Sequence, residues 1–266
     1  MQKRYLMYID ILGFRKINEN NPQRIDKLYL IIDQLHAHEH PNFTTIVFSD
    51  TILIYSKDLP SENSEHDNQY LVMYLIEFAQ DLQHRLVGSG IFFRAQLRYD
   101  NFEHHTLKNV QCFYGNNLIK SYEEESKIPA IGIFIDAHCQ KYNNIFPSVK
   151  FSSDLFFVFV NQSFERLARN TDLKLPTNKI FLENADEYWD ILWDLSYLQV
   201  IYEKSLKEMD PIIRTKYVNT WRLFENRYSK MLLDIRDNNF DPHIICPKYD
   251  WIKMVQRFND EIKETI

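Results

Sequence analysis

Tyr5-Leu-Met-Tyr-Ile-Asp10-Ile-Leu-Gly13-Phe14 is an apolar, β-branched and aromatic run with one carboxylate set into it. Such a run reads as a buried strand. Thr44-Thr-Ile-Val-Phe-Ser-Asp50-Thr-Ile-Leu-Ile-Tyr55 repeats the pattern, with a second aspartate at a tight turn between two strands. A buried carboxylate is costly unless a cation or hydrogen-bond donors compensate it. Two of them on strands that can lie side by side form a candidate site for divalent metal ions, and the rest of the chain is read against that expectation.

Upstream and downstream of these strands the pattern is mixed. Asn20-Asn21-Pro22 opens a helix with Ile25, Leu28, Ile31, Ile32 and Leu35 on one face. The run His36-Ala-His-Glu-His40 has the look of a metal cluster but reads as solvated surface. A polar loop over 57–69 precedes a helix over 70–86, closed by Gly88-Ser-Gly90. Strands follow at 91–99 and 110–114, with His104 and His105 in a polar turn between them. A short helix begins after Gly115, and its Glu123-Glu-Glu125 reads as a solvated face. Strands at 130–135 and 155–160 complete an α+β order that contains the split β-α-β pattern of a ferredoxin-like sheet with added strands. Beyond residue 162 the chain turns helical, with helices expected over 186–209 (Trp189 and Ile191 among its apolar residues), 212–235 and 248–265, and Pro211 at a helix start. The expected division is 1–162 and a helical extension, 163–266, whose aromatic residues serve packing.

Composition narrows the class. With 45% hydrophobic residues and only 5 glycines in 266, the chain is a folded globular protein rather than a linker-rich one. A net charge of −6 supplies no basic field for nucleic acid or an anionic membrane. Three cysteines without a Cys-x-x-Cys fit reduced thiols, and no run reaches the length of a membrane-spanning helix, so a soluble, cytoplasmic protein without a signal peptide is expected.

Four features converge on one chemistry. Asp10 ends a strand and leads into the Gly13 turn, where backbone N–H groups can face a phosphate. Asp50 sits at a hairpin tip. Arg94 lies inside a strand run, where an unpaired guanidinium is out of place, and Lys150 precedes the last strand. Two carboxylates with separate cations suit a metal-bound triphosphate better than acid–base hydrolysis of a neutral substrate.

At these residues the chain resembles the class III nucleotidyl cyclases. Asp10-Ile11-Leu12-Gly13-Phe14 matches the end of that family's first strand, Asp50 its hairpin aspartate, Arg94 its fourth-strand arginine and Lys150 its phosphate-contacting lysine, over roughly residues 5–160. The resemblance implies that Asp10, Asp50 and the Ile11 carbonyl hold two Mg²⁺ or Mn²⁺ ions. It implies that Leu12, Gly13 and Phe14 face the substrate, and that Arg94 and Lys150 contact the triphosphate. It implies a homodimer with its sites at the interface and a nucleoside triphosphate as substrate.

The departures from the family carry information. Ile119 and Glu123 stand where the family has ribose- and phosphate-contacting Asn and Arg, so Arg15, Lys16 or Lys120 would have to replace the arginine, or the site is inactive. Ile46 and Cys112 fall at the base-reading positions, and Ile46 cannot hydrogen-bond a purine; Cys112 alone also reads as a small buried hydrophobe. Lacking both purine readers, the chain resembles the pyrimidine cyclases of Pycsar anti-phage systems, which make cyclic CMP or cyclic UMP. The alternative expectations are an inactive cyclase-like nucleotide-binding module and a structural protein whose aspartates are incidental.

Overall fold

Every residue from Tyr5 to Ile11 is buried, Asp10 included, so the opening strand is covered on both faces. The computed structural model describes residues 1–35, 40–57, 64–180, 182 and 188–265. The chain divides into two compact units. One comprises Met1–Arg85, Ile91–Ile128 and Gly132–Val160, the other Leu86–Gly90, Pro129–Ile131 and Asn161–Ile266.

In the first unit, β1 (Lys3–Leu12) lies between β3 (Thr51–Ser56) and β4 (Phe92–Asn101), antiparallel to both. With β2 (Phe43–Phe48), β7 (Gly132–Asp136), β8 (Ser148–Lys150) and β9 (Leu155–Val158) it forms a seven-stranded sheet in the order β2-β3-β1-β4-β7-β9-β8. The pairing of β4 with β7 is parallel. Strands β5 (Glu103–Thr106) and β6 (Gln111–Tyr114) form a separate hairpin. The architecture is α+β, as expected.

Alternation along β1 gives its two faces different chemistry. Tyr5, Met7, Ile9 and Ile11 stand opposite Tyr99, Leu97, Ala95 and Phe93 of β4, all apolar or aromatic. This face lies under α3 (Glu65–Leu86), whose Asn68 accepts a 2.6 Å hydrogen bond from the Tyr5 hydroxyl. On the other face, Leu6, Tyr8 and Asp10 stand opposite Arg98, Gln96 and Arg94. That face is covered by α4 (Asn116–Glu125), where Ser121 offers its carbonyl to Gln96 Nε2 at 2.8 Å. Gly115 precedes α4 at φ 143° and its Cα packs on the Asn101 backbone, an approach that a side chain would block.

Three further helices belong to this unit: α1 (Phe14–Asn20), α2 (Gln23–Asp33) and α5 (Ala137–Tyr142). Ile25, Leu28, Ile31 and Ile32 are the buried face of α2, as their spacing predicts. Of the histidine run at 36–40, only His40 lies within the described residues. Its ring bonds the Tyr70 hydroxyl at 2.6 Å and packs against Phe43 and Tyr74. The expected loop over 57–69 is described only at its ends, and Glu65–Gln69 belong to α3. The polar turn expected at His104-His105 is instead strand β5, and His104 Nδ1 bonds the Tyr55 hydroxyl at 2.8 Å.

The second unit contains α6 (Gln162–Thr171), α7 (Tyr188–Lys207), α8 (Pro211–Asp237) and α9 (Trp251–Thr265). Asp210 caps α8 by accepting from Ile212 N at 2.9 Å and Ile213 N at 3.2 Å, with Pro211 as the first helical residue. Asp194 is buried but bonded, accepting from Asn161 Nδ2 at 2.7 Å and from the Ser163 hydroxyl. Trp221, Tyr228 and Trp251 are buried, which gives these aromatics the packing role expected of them. The Trp189 side chain lies outside the described residues. No helix among the described residues is long and apolar enough to cross a membrane.

Candidate active site

The turn that carries Asp50 is fastened to the strand that carries Asp10. Ile11 N donates to the Asp50 carbonyl at 2.9 Å, and Asp10 is registered against Thr51. Ser49 reverses the chain in the left-handed region at φ 54°, and its carbonyl accepts from the Tyr29 hydroxyl at 3.0 Å. The two aspartates are therefore one step apart on neighbouring strand ends. Among the described residues the Asp50 carboxylate takes no hydrogen bond or ion pair. Next along the chain, Gly13 turns at φ 73° to cap α1, leaving Leu12 and Phe14 half-buried.

Asp10 is 7% exposed and Arg94 4% exposed, and they are bonded, Arg94 Nη2 to Asp10 Oδ2 at 2.8 Å. The same nitrogen also reaches Glu125 Oε1 at 3.1 Å, and Nη1 donates to the Ile128 carbonyl at 2.8 Å. Tyr8 donates to the other Glu125 oxygen at 2.9 Å. Burial, with Asp10 beside it, holds the Glu125 carboxyl above the ordinary glutamate value. Burial likewise pushes the Tyr8 hydroxyl upward. Four residues along β4 the arrangement repeats, with Arg98 on Glu124 of the same helix. The acidic run 123–125 is thus not a solvated face. Only Glu123 is exposed, while Glu124 and Glu125 turn inward onto β4 arginines.

Several expected members of the site lie apart. Lys150 is exposed on β8, at the far edge of the sheet. Four strand spacings separate β8 from β1, about 19 Å, so a single chain does not bring Lys150 to Asp10. Ile46 packs against a cluster of Leu6, Tyr8, Leu53, Tyr55 and Phe102, which also takes Phe113. Cys112 adjoins Phe113 on β6, and alternation turns its side chain to the other face of that hairpin. Ile46 and Cys112 therefore do not form a joint base-reading pair. Among the cations able to replace the missing arginine, Arg15 is held by Glu19 at 2.9 Å and Lys120 by Asp100 at 2.6 Å. Lys16 is exposed and makes no ion pair among the described residues.

Asp10, Asp50 and the Ile11 carbonyl form an all-oxygen donor set of the kind that suits Mg²⁺ or Mn²⁺. Among the described residues the Asp50 carboxylate is unengaged and Arg94 takes Asp10 through Oδ2, so the chemistry of these donors is compatible with such an ion. No group of three or more His, Cys, Asp or Glu side chains gathers as a ready metal cage among the described residues.

No protein-family model and no curated protein matches the sequence. Solved structures do show similarity. The adenylyl cyclase CyaB from P. aeruginosa is 14% identical over 59% of this chain and 94% of its own, with a TM-score of 0.44. The guanylate cyclase domain of RhGC from Catenaria anguillulae, solved with GTP, is 14% identical over 59% and 96%, with a TM-score of 0.45. The dimeric guanylyl cyclase domain of the RhoGC fusion protein from Blastocladiella emersonii is 13% identical over 60% and 97%, also with a TM-score of 0.45.

Proposed function

We propose that the chain is a metal-dependent nucleotidyl cyclase that converts CTP or UTP to the 3′,5′-cyclic monophosphate and pyrophosphate, as a second messenger in anti-phage defence. The observation that carries this reading is the backbone bond from Ile11 N to the Asp50 carbonyl, which fixes two acidic residues side by side at the end of a buried sheet. The Asp50 carboxylate makes no hydrogen bond or ion pair among the described residues, which leaves it available to a cation.

Asp10, Asp50 and the Ile11 carbonyl would hold the metal ions. Two Mg²⁺ or Mn²⁺ ions, when bound, supply acidification of the ribose 3′-hydroxyl and neutralisation of the triphosphate. Arg94 orients Asp10 through its 2.8 Å bond. The backbone around Leu12, Gly13 and Phe14 would orient the phosphates, and Lys16 is the nearby cation left to meet them. Because Lys150 is remote within one chain, the site would be completed as a homodimer, with Lys150 of the partner subunit meeting the leaving pyrophosphate. Exposed Ile119 and Tyr122 on α4, with Leu107 and Val110 beside β5 and β6, supply apolar surface for such a pairing. The packed Ile46 offers no purine-specific hydrogen bond, which supports a pyrimidine base.

The test is incubation of the protein with each of the four nucleoside triphosphates and Mn²⁺, with cyclic product read by mass spectrometry. Product from CTP or UTP is expected. Absence of product from all four overturns the enzyme reading. A second reading, an inactive cyclase-like nucleotide-binding module, is favoured by Glu123, exposed on α4 in place of a cation. Metal-dependent nucleotide binding without turnover would establish it.

A further inference from the structure

Helix α4 covers the Asp10 end of the sheet with carboxylates pointing inward, and the charge there does not balance. One guanidinium nitrogen, Arg94 Nη2, serves both Asp10 and Glu125, while Nη1 is committed to the Ile128 carbonyl. A single cation thus faces two carboxylates where water is scarce, a costly arrangement. Arg94 is 4% exposed, and Glu125 is one of the three groups that occupy its guanidinium.

The hold of α4 on the sheet combines one apolar contact, Leu118 against the cluster of Leu6, Tyr8 and Phe102, with a polar layer. Its fully buried residues are Asn117 and Ser121. Among the described residues, Ser121 Oγ, Asn117 Oδ1 and Arg94 Nε, all buried, lack a hydrogen-bond partner. The helix is fixed by Asn117 Nδ2 on the Arg4 and Arg98 carbonyls, by Gln96 on the Ser121 carbonyl, and by the two Arg–Glu pairs. A partly satisfied polar layer of this kind stabilises little and opens more readily than an apolar one.

We propose that Glu125 is an intramolecular competitor for the Arg94 guanidinium, so that a polyphosphate chain gains Arg94 only as the Glu125 carboxylate leaves it. The inference rests on the nucleotide reading above and goes beyond it in giving Arg94 a phosphate ligand in place of Glu125. Breaking of the Glu125–Arg94 pair itself, rather than loosening of α4 as a whole, would then set the affinity of the site. Glu124, one residue away and paired with Arg98, is the internal control, because it shares the helix but not Arg94.

The test is calorimetric titration of the full chain with inorganic tripolyphosphate in metal-free buffer. Glu125→Gln is expected to bind at least about fivefold more tightly than wild type, a typical magnitude for coupling between states. Glu124→Gln is expected to match wild type, and adding Arg94→Gln to Glu125→Gln should remove the gain. Should Glu125→Gln fail to fold, Glu125→Asp, which shortens the reach to Arg94, carries the same expectation. Equal or weaker binding by the Glu125 variants, an equal gain in Glu124→Gln, a gain that survives loss of Arg94, or no binding by any variant overturns the proposal. Failure of the cyclase reading shows separately, as no cyclic product from any nucleotide while the tripolyphosphate gain persists.

Discussion

The two faces of β1 are made by alternate residues of one ten-residue strand, yet they solve different problems. Under α3 lie Tyr5, Met7, Ile9 and Ile11 against Leu97, Ala95 and Phe93, a face whose burial stabilises the fold at roughly 25 cal/mol per Å² of apolar surface. Under α4 lie Asp10, Arg94, Gln96 and Arg98, whose burial costs free energy that their mutual hydrogen bonds offset only in part. The contrast teaches where to look for function. A strand that carries charge on one covered face only has kept that charge for something other than stability.

Substitutions can break this contrast, and the largest effect should fall on chemistry. Asp50→Ala is expected to lower cyclic-nucleotide formation by about a thousandfold, equivalent to about 4 kcal/mol in the barrier. Its unfolding free energy should stay within about 0.5 kcal/mol of wild type, because among the described residues the carboxylate has no partner to lose. Unchanged turnover would remove Asp50 from the mechanism. On the opposite face, Ile9→Ala should cost about 2–5 kcal/mol in denaturant unfolding, since the side chain is wholly buried. A loss below about 1 kcal/mol would show that the apolar face is not the stabilising one.

The polar face should instead reveal itself through pH. Because burial and Asp10 raise the folded-state pKa of Glu125, the native protein binds that proton more tightly than the unfolded chain. Its stabilising contribution is complete below the ordinary glutamate value and is lost as pH rises through the raised one. In metal-free buffer, Glu125→Gln should therefore flatten the fall in unfolding free energy between the ordinary and the raised value. An unaltered pH profile would count against that coupling. The smallest effect is expected at the rim, where Lys120→Ala removes a partly exposed pair with Asp100 and should shift stability by less than about 1 kcal/mol.

Much of this architecture was readable from the chain. Strands β1, β2, β3, β4, β7 and β9 announce themselves as β-branched and aromatic runs, and Asp10 and Asp50 stand out because a carboxylate interrupts such a run. Strand β5 did not, since Glu-His-His-Thr carries no apolar alternation and is ordered by partners such as Tyr55. Helices α1 and α5 and strand β8 are too short for a period to emerge. Helix α6 does not stand out as a separate element in the sequence, although its buried Phe164 and Leu167 have helical spacing. Glu125 was hidden in an acidic triplet that resembles a solvated surface. The signal that could have found it is on β4, where Arg94, Gln96 and Arg98 recur at period two and so demand buried partners from a neighbouring element.

The far-edge position of Lys150 has a genetic consequence. If each centre draws its acids from one polypeptide and its lysine from another, Asp50→Ala and Lys150→Ala would each be silent as homodimers. Mixed in equal amounts and allowed to exchange subunits, they would form hybrids in which one centre is intact and the other doubly damaged. About a quarter of wild-type turnover should then return, as two-fold symmetry requires. Two individually dead alleles would rescue each other in one cell.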